Sequence, residues 1–122
     1  MQKGFVQLSQ SFDPTYGGFG KAPKFPTPHN LLFLLSYYGR TRNETAMMMV
    51  KKTLDSMRAG WIYDHVGYGF SRYSVDAKWS AADFEKMLYD NAVLAYAYLD
   101  AAEKAGDNSH KQVAEEILTY VM

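Results

Sequence analysis

The chain has 122 residues, enough for one domain with a buried core and too few for several. Thirteen basic residues balance 13 acidic ones, so no overall field favours nucleic acid or an anionic membrane as a partner. Cysteine is absent, no apolar run is long enough to span a membrane, and no signal-peptide pattern opens the chain. These features predict a cytoplasmic protein without disulfides or thiolate metal sites.

The chain opens with a predicted helix end and an irregular loop. Phe5, Leu8 and Phe12 form an apolar stripe, which predicts a helix over residues 1–12. Residues 13–27 hold three glycines and three prolines, which exclude a regular element there.

The next segment predicts a hairpin of two helices. Thr27 is the predicted N-cap of the first helix, with Pro28 in its first position, and residues 31–38 are apolar on nearly every face. Asn43 is the predicted cap of the second helix, over residues 44–58, whose apolar residues recur at intervals of three and four. A helix that is apolar all round indicates burial on several sides, whereas its partner is amphipathic.

A second hairpin follows a long loop rich in aromatic residues and glycine. Its first helix is predicted over residues 83–104 and ends at Gly106, and Asn108 or Ser109 is the predicted cap of its second helix. Within the loop, residues 69–75 alternate in character and could form a short β-hairpin.

The two halves of the chain share a short repeat. Four positions of the first loop recur at an offset of 51 residues: Phe12, Asp13, Gly18 and Phe19 match Tyr63, Asp64, Gly69 and Phe70. A repeat of this length, with one helix pair per unit, predicts a solenoid or a closed ring of hairpins. We therefore divide the chain into a first unit, residues 1–58, and a second unit, residues 59–122.

Two longer stretches resemble a known family. "FDPTYGGFGKAPKFPTPHNLLFLL" and "YDHVGYGFSRYSVDAKW", the latter followed by "FEKMLYDNA", are similar to the family of spermatogenesis-associated protein 20. That resemblance implies an all-α fold, a fragment of an (α/α)6 toroid similar to N-acylglucosamine 2-epimerases and six-hairpin glycosidases. It also implies an N-terminal thioredoxin-like domain in the parent protein.

The sequence departs from the family pattern at three places. Ala82 and Asp83 stand where the family usually has a Pro-His pair, which weakens any acid or base role carried over to that position. Tyr68 interrupts a glycine triplet, and Trp61 replaces one glycine of a pair, which suggests a second loop with less backbone freedom.

Three carboxylates are the predicted catalytic residues: Asp64, Glu85 and Asp90. Sugar-processing sites use two carboxyls roughly 5 to 9.5 Å apart. On one helix, Glu85 and Asp90 would lie about 140° apart, so Asp64 with one of them is the better pair. The alternatives remain open: Glu85 could complement the helix dipole, and Asp90 could pair with Lys86 one turn away.

Five further residues are predicted to bind substrate: Tyr16, Lys24, Arg72, Tyr73 and Trp79. Trp79 and Tyr73 could stack on a sugar ring while Arg72 grips an anionic group. Alternatively, the aromatic rings close the end of the helix bundle and Arg72 pairs with a nearby aspartate.

Other polar residues carry weaker signals. Asn91 falls on an apolar stripe, which predicts a structural bond to loop backbone. His29, His65 and His110 lack metal-binding spacing, so we expect neither a metal nor a cofactor.

Three hypotheses of function follow. The parent protein could bind, and hydrolyse or isomerise, a carbohydrate-like metabolite in the mouth of the toroid. Alternatively, the region is a non-catalytic module that docks the thioredoxin-like domain or another protein partner. For the chain alone, exposed apolar flanks predict self-association, which a monodisperse monomer in light scattering would contradict.

Overall fold

The computed structural model describes residues 2–20, 24–60, 62–64, 68–71, 74, 77–79, 86 and 88–121. These residues form five α-helices and no strand, which confirms the predicted all-α class. The helices are α1 (Gln2–Ser11), α2 (Pro28–Thr41), α3 (Glu44–Ala59), α4 (Leu88–Ala105) and α5 (Asn108–Val121).

The helices pack in two layers. α2 and α4 lie side by side in one layer, while α3 packs on α2 and α5 packs on α4. α3 and α5 form the second layer, where a 2.7 Å hydrogen bond connects His110 Nε2 of α5 to Asp55 Oδ1 of α3. α1 adds to the first hairpin through Phe5, whose ring stacks on Tyr37 at 4.7 Å. The broadly apolar helices thus share one layer, and their amphipathic partners share the other.

The core lies between these layers and draws on all four helices of the hairpins. Its fully buried members include Leu31, Leu34, Leu35, Val50, Leu54, Met57, Leu94, Tyr98 and Ile117. Each large apolar side chain buried in this way contributes about 1.5 to 3 kcal/mol to folding. The Tyr98 hydroxyl donates to the Leu54 carbonyl at 2.7 Å, and burial raises the Tyr98 pKa well above 10.

The starts of α2 and α3 test two predicted N-caps. Asn43 Oδ1 accepts from the amides of Thr45 (2.9 Å) and Ala46 (3.3 Å), which confirms the cap of α3. Thr27 precedes α2 as predicted, but its side chain caps nothing. Its backbone is left-handed, with φ 42°, and its carbonyl accepts from the Asn30 amide instead. The predicted boundary was right, and the predicted Thr27 hydroxyl cap was wrong.

The predicted cap of α5 was wrong by one or two residues. Asp107, rather than Asn108 or Ser109, occupies the cap, and its Oδ1 accepts from the Ser109 amide at 2.9 Å. The Ser109 hydroxyl also donates to Asp107 Oδ1, and this bond, with the amide, holds the Asp107 pKa below 3.8. Gly106 ends α4 with φ 69°, as the sequence predicts.

We expect Asp107→Ala to lower the free energy of unfolding by about 1 kcal/mol, because the first turn of α5 loses its acceptor. Asn108→Ala is the matched control and is expected to change it by no more than about 0.5 kcal/mol. Urea unfolding measures both, and equal effects would return the cap to Asn108.

Two predictions in the second loop need correction. Lys86 is not helical, so the helix predicted from residue 83 begins at Leu88. The predicted β-hairpin falls partly outside the described residues. Phe70 instead forms an isolated antiparallel bridge with Tyr63, and Ser74 forms one with Lys24. The Ser74 bridge joins the second loop to the first loop.

Candidate functional site

The first loop, between α1 and α2, is organised around a buried lysine. Lys24 is 0% exposed, and its Nζ lies 2.7 Å from Asp13 Oδ2. The same ammonium donates to the carbonyls of Gly17 (2.8 Å) and Ala77 (3.0 Å). We call the Asp13–Lys24 ion pair the first clamp, because it joins three chain segments at one point.

The pKa of Asp13 is lowered by the contacts of the first clamp. Desolvation raises the pKa of this carboxyl, but hydrogen bonds from Lys24 and from the amides of Tyr16 and Thr15 outweigh it. The net result is a pKa below 3.8, so the Asp13 carboxylate is charged at neutral pH.

Trp79 and Tyr16 lie beside the first clamp. The Trp79 side chain is 0% exposed, its Nε1 donates to the Tyr16 carbonyl at 2.9 Å, and Lys24 Nζ lies 5.5 Å from its ring centre. Tyr16 is 37% exposed, with Lys78 Nζ 5.8 Å from its ring. Three predicted substrate-binding residues are therefore brought together, but only Tyr16 presents its ring to solvent.

The second loop carries a corresponding ion pair that is more exposed, with side chains 20% (Lys86) and 37% (Asp64) accessible. Lys86 Nζ lies 2.7 Å from Asp64 Oδ2 and donates to the Tyr68 carbonyl at 3.0 Å. It also sits 4.7 Å from the ring centre of Tyr120 on α5. We call the Asp64–Lys86 pair the second clamp.

The backbone around the two clamps repeats, as the sequence repeat predicted. Asp13 and Asp64 donate their amides to Gly18 O and Gly69 O, both at 2.9 Å. Each aspartate carbonyl accepts from the residue four positions on, and isolated bridges close both turns. The described backbone bonds of the two turns thus follow one pattern, so Asp64 is the structural counterpart of Asp13.

Asn91 of α4 holds the second loop in place. Its side chain is 0% exposed, accepting from the Phe70 amide at 2.6 Å and donating to the Phe70 carbonyl at 3.0 Å. The predicted bond from this amide to loop backbone is confirmed.

The structure describes two of the three predicted catalytic carboxylates, Asp64 and Asp90. Asp64 is committed to Lys86, so the alternative Lys86–Asp90 pair was wrong. Asp90 lies in the first turn of α4, whereas Glu85 falls outside the described residues, as do Arg72 and Tyr73. Because Lys86 is not helical, the 140° estimate for Glu85 and Asp90 does not apply.

A groove of about 410 Å³ runs between α2 and α4. Its lining comes entirely from those two helices: His29, Leu32, Tyr89, Ala92, Val93 and Tyr96. We call it the α2–α4 groove. α3 packs on α2 and α5 packs on α4. In the predicted ring of hairpins, with α3 and α5 as the outer helices, the groove is expected to face the interior.

One polar pair stands at the end of the α2–α4 groove. The Tyr89 hydroxyl and His29 Nε2 lie 3.1 Å apart, and each residue is the second of its helix. Tyr89 and Tyr96 are both 62% exposed and lie two helical turns apart on one face. An imidazole can carry a proton to or from a bound group, and exposed tyrosines stack on flat apolar rings.

Sequence reasoning missed His29 and Tyr89 as a pair, because 60 residues separate them. His29 follows the predicted start of its helix, but the helix of Tyr89 was predicted to start at residue 83, so the sequence offered no signal that pairs the two residues.

Other kinds of site lack support in the described part of the chain. No group of three or more histidine, cysteine, aspartate or glutamate residues there could hold a metal ion. Among the same residues, no helix is long and apolar enough to cross a membrane.

Comparison with known sequences supplies close relatives. No protein-family model matches the chain. Human spermatogenesis-associated protein 20 is 50% identical over 121 residues, which cover 96% of this chain and 15% of the human protein. Its mouse counterpart is 48% identical, with the same coverage, and an uncharacterised Caenorhabditis elegans protein is 44% identical over 125 residues. The chain spans about 15% of the length of the mammalian relatives.

Solved structures with the same fold include sugar epimerases and a glycoside hydrolase. Cellobiose 2-epimerase from Spirochaeta thermophila matches 94% of this chain with a TM-score of 0.84 at 21% identity, over 31% of its own length. A family 76 glycoside hydrolase from Bacteroides thetaiotaomicron matches 96% of this chain with a TM-score of 0.81 at 15% identity, over 28% of its length. The chain is a close homologue of one segment of spermatogenesis-associated protein 20, and it folds as a fragment of an (α/α)6 toroid.

Proposed function

We propose that this region forms one side of a ligand site that takes a carbohydrate-like metabolite in the mouth of the parent toroid. The observation that carries the proposal is the exposed His29–Tyr89 pair at the end of the α2–α4 groove. It places a proton-transfer group beside an aromatic surface on the ring-facing side. The solved neighbours named as sugar epimerases and a glycoside hydrolase support the choice of ligand class.

The reaction class that fits this arrangement is proton transfer during sugar isomerisation or hydrolysis. His29 supplies an imidazole within hydrogen-bond distance of a phenol, which can pass or orient a proton. Asp90 and Glu85 stay proposed acid or base groups near the start of α4. Asp64 fits this role less well, because its ion pair with Lys86 copies the buried clamp of the first loop.

Titration of the isotope-labelled chain with a panel of mono- and disaccharides, followed by NMR, tests the proposal. We expect saturable shifts at His29, Tyr89 and Tyr96, and about fivefold weaker binding for His29→Ala, since one hydrogen bond contributes about 1 kcal/mol. Lys111→Ala, at an exposed position of α5, is the matched control and should leave binding unchanged. An unresponsive groove, or equal affinity for the His29→Ala variant, would contradict the proposal.

The second candidate function is a non-catalytic docking module for the thioredoxin-like domain or another protein. The exposed Tyr16 ring with Lys78 beside it favours this reading, because both project from the first and second loops toward solvent. Under this reading, Asp64→Asn leaves every activity of the parent protein unchanged, and a large loss with the fold intact would exclude it.

Self-association of the isolated chain stays a prediction. It is supported by the exposed apolar side chains of α4 and α5, which include Tyr96, Leu99 and Leu118.

A further inference from the structure

We propose that the two clamps are positioning devices that set the starts of α2 and α4, so that His29 and Tyr89 meet across the α2–α4 groove. This inference rests on the proposed function only for the role of the His29–Tyr89 contact in ligand binding. The geometry of that contact does not depend on the proposed function. It assigns Lys24 and Lys86, together with Asp13 and Asp64, to the placement of the site.

The contact pattern is the same in both clamps. Each ammonium binds its aspartate at 2.7 Å and the carbonyl of the residue four positions after that aspartate, Gly17 or Tyr68. Both lysines therefore close the same turn of the repeated unit.

The number of residues between the aspartate and its lysine differs between the two loops. Lys24 comes 11 residues after Asp13, whereas Lys86 comes 22 residues after Asp64. The spatial contact is kept although the spacing in sequence is not. A copied sequence alone does not explain this, whereas a shared requirement at the end of each loop does.

The shared requirement is the position of each lysine just before the start of a helix. Lys24 is four residues before Pro28, the first residue of α2, and Lys86 is two residues before Leu88, the first residue of α4. Such short segments span at most about 14 Å and about 7 Å when fully extended. Each clamp thus fixes the entry into an inner helix whose second residue is His29 or Tyr89.

Stability alone is a poor reason for the first clamp, whose lysine is fully buried. A buried pair is often no more stabilising than well-packed apolar side chains of similar size, because both charges lose their hydration. What a clamp adds is a single geometry, since an ammonium with fixed acceptors holds several chain segments at one point. Lys24 meets this description, with three acceptors and no exposure.

The test measures the nuclear Overhauser effect between the rings of His29 and Tyr89, whose centres lie 5.9 Å apart in the native chain. The variants are Lys86→Met and Asp64→Asn in the second clamp and Lys24→Met in the first. Lys111→Met, at an exposed site, is the control. Contacts within the core, such as that of Phe70 with Tyr98, report whether the fold is intact.

We expect the clamp variants to lose the His29–Tyr89 effect while keeping the core contacts, and the control to keep both. If Lys86→Met and Asp64→Asn both retain the effect at native intensity, the inference is overturned. Should Lys24→Met fail to fold, the second-clamp variants decide the question alone. Saccharide titration of the same variants separates the two proposals. Loss of the ring contact in the clamp variants, with a native chain that itself binds no sugar, would uphold the clamps and defeat the proposed function.

Discussion

Replacing Lys24 by methionine is expected to lower the free energy of unfolding by about 3 kcal/mol, a large share of the roughly 5 to 15 kcal/mol typical of a domain. Methionine has a similar length and fills the space, but it leaves the Asp13 carboxylate without its ion-pair partner. The carbonyls of Gly17 and Ala77 lose a donor in the same step. Urea unfolding followed by circular dichroism measures the change.

The control for this prediction is Lys111→Met, which is expected to change stability by no more than about 0.5 kcal/mol. The pH dependence adds a second check. The Asp13 pKa lies below its ordinary value of 3.8 in the folded chain, so its contribution is complete above pH 3.8 and is lost as the pH falls through the folded pKa. Lys24→Met should therefore flatten the acid limb of the stability curve. A variant as stable as the native chain, with an unchanged acid limb, would show that the first clamp contributes nothing.

Truncating Trp79 to alanine is expected to cost about 3 to 5 kcal/mol, the usual range for a large aromatic side chain in a core. Trp79 is fully buried, and its indole fills a space that only glycine at position 18 leaves free. A Cβ added to Gly18 would lie 2.5 Å from Trp79 Cζ2. The truncation also removes the bond from Nε1 to the Tyr16 carbonyl, which ties the second loop to the first.

Tyr16→Ala is the matched comparison for Trp79→Ala, since its ring is exposed and sits beside the same clamp. We expect a loss below about 1 kcal/mol. Thermal unfolding of both variants, together with sugar titration, separates a structural tryptophan from a binding one. A Trp79→Ala variant that folds normally but no longer binds sugar would restore the stacking role predicted from sequence.

The helices and their layers were within reach of sequence reasoning because their signals are local. An apolar residue at every third or fourth position defines α3, and the Asn43 side chain caps it through its own backbone neighbours. The repeat of Asp13 at Asp64 also needed only the sequence, and the backbone bonds of both loops bear it out.

The parts that sequence reasoning missed depend on contacts between distant segments. Lys86 reads as helical because of the run that follows it, yet its ammonium is drawn to Asp64, 22 residues earlier. Likewise, Lys24 and Trp79 are residue types that are typical of sugar sites, so the sequence predicts that they bind substrate. The structure instead buries both in the interior. Burial of a long polar side chain is decided by its partners, which a one-dimensional pattern does not contain.

The α2–α4 groove itself is tested most directly by intermolecular nuclear Overhauser effects from a bound saccharide to the tyrosine rings of the chain. We expect effects from the sugar ring protons to Tyr89 and Tyr96, together with the His29 imidazole, because these groups line the groove. Effects confined to Tyr16 in the first loop would contradict it and move the ligand to the loop surface.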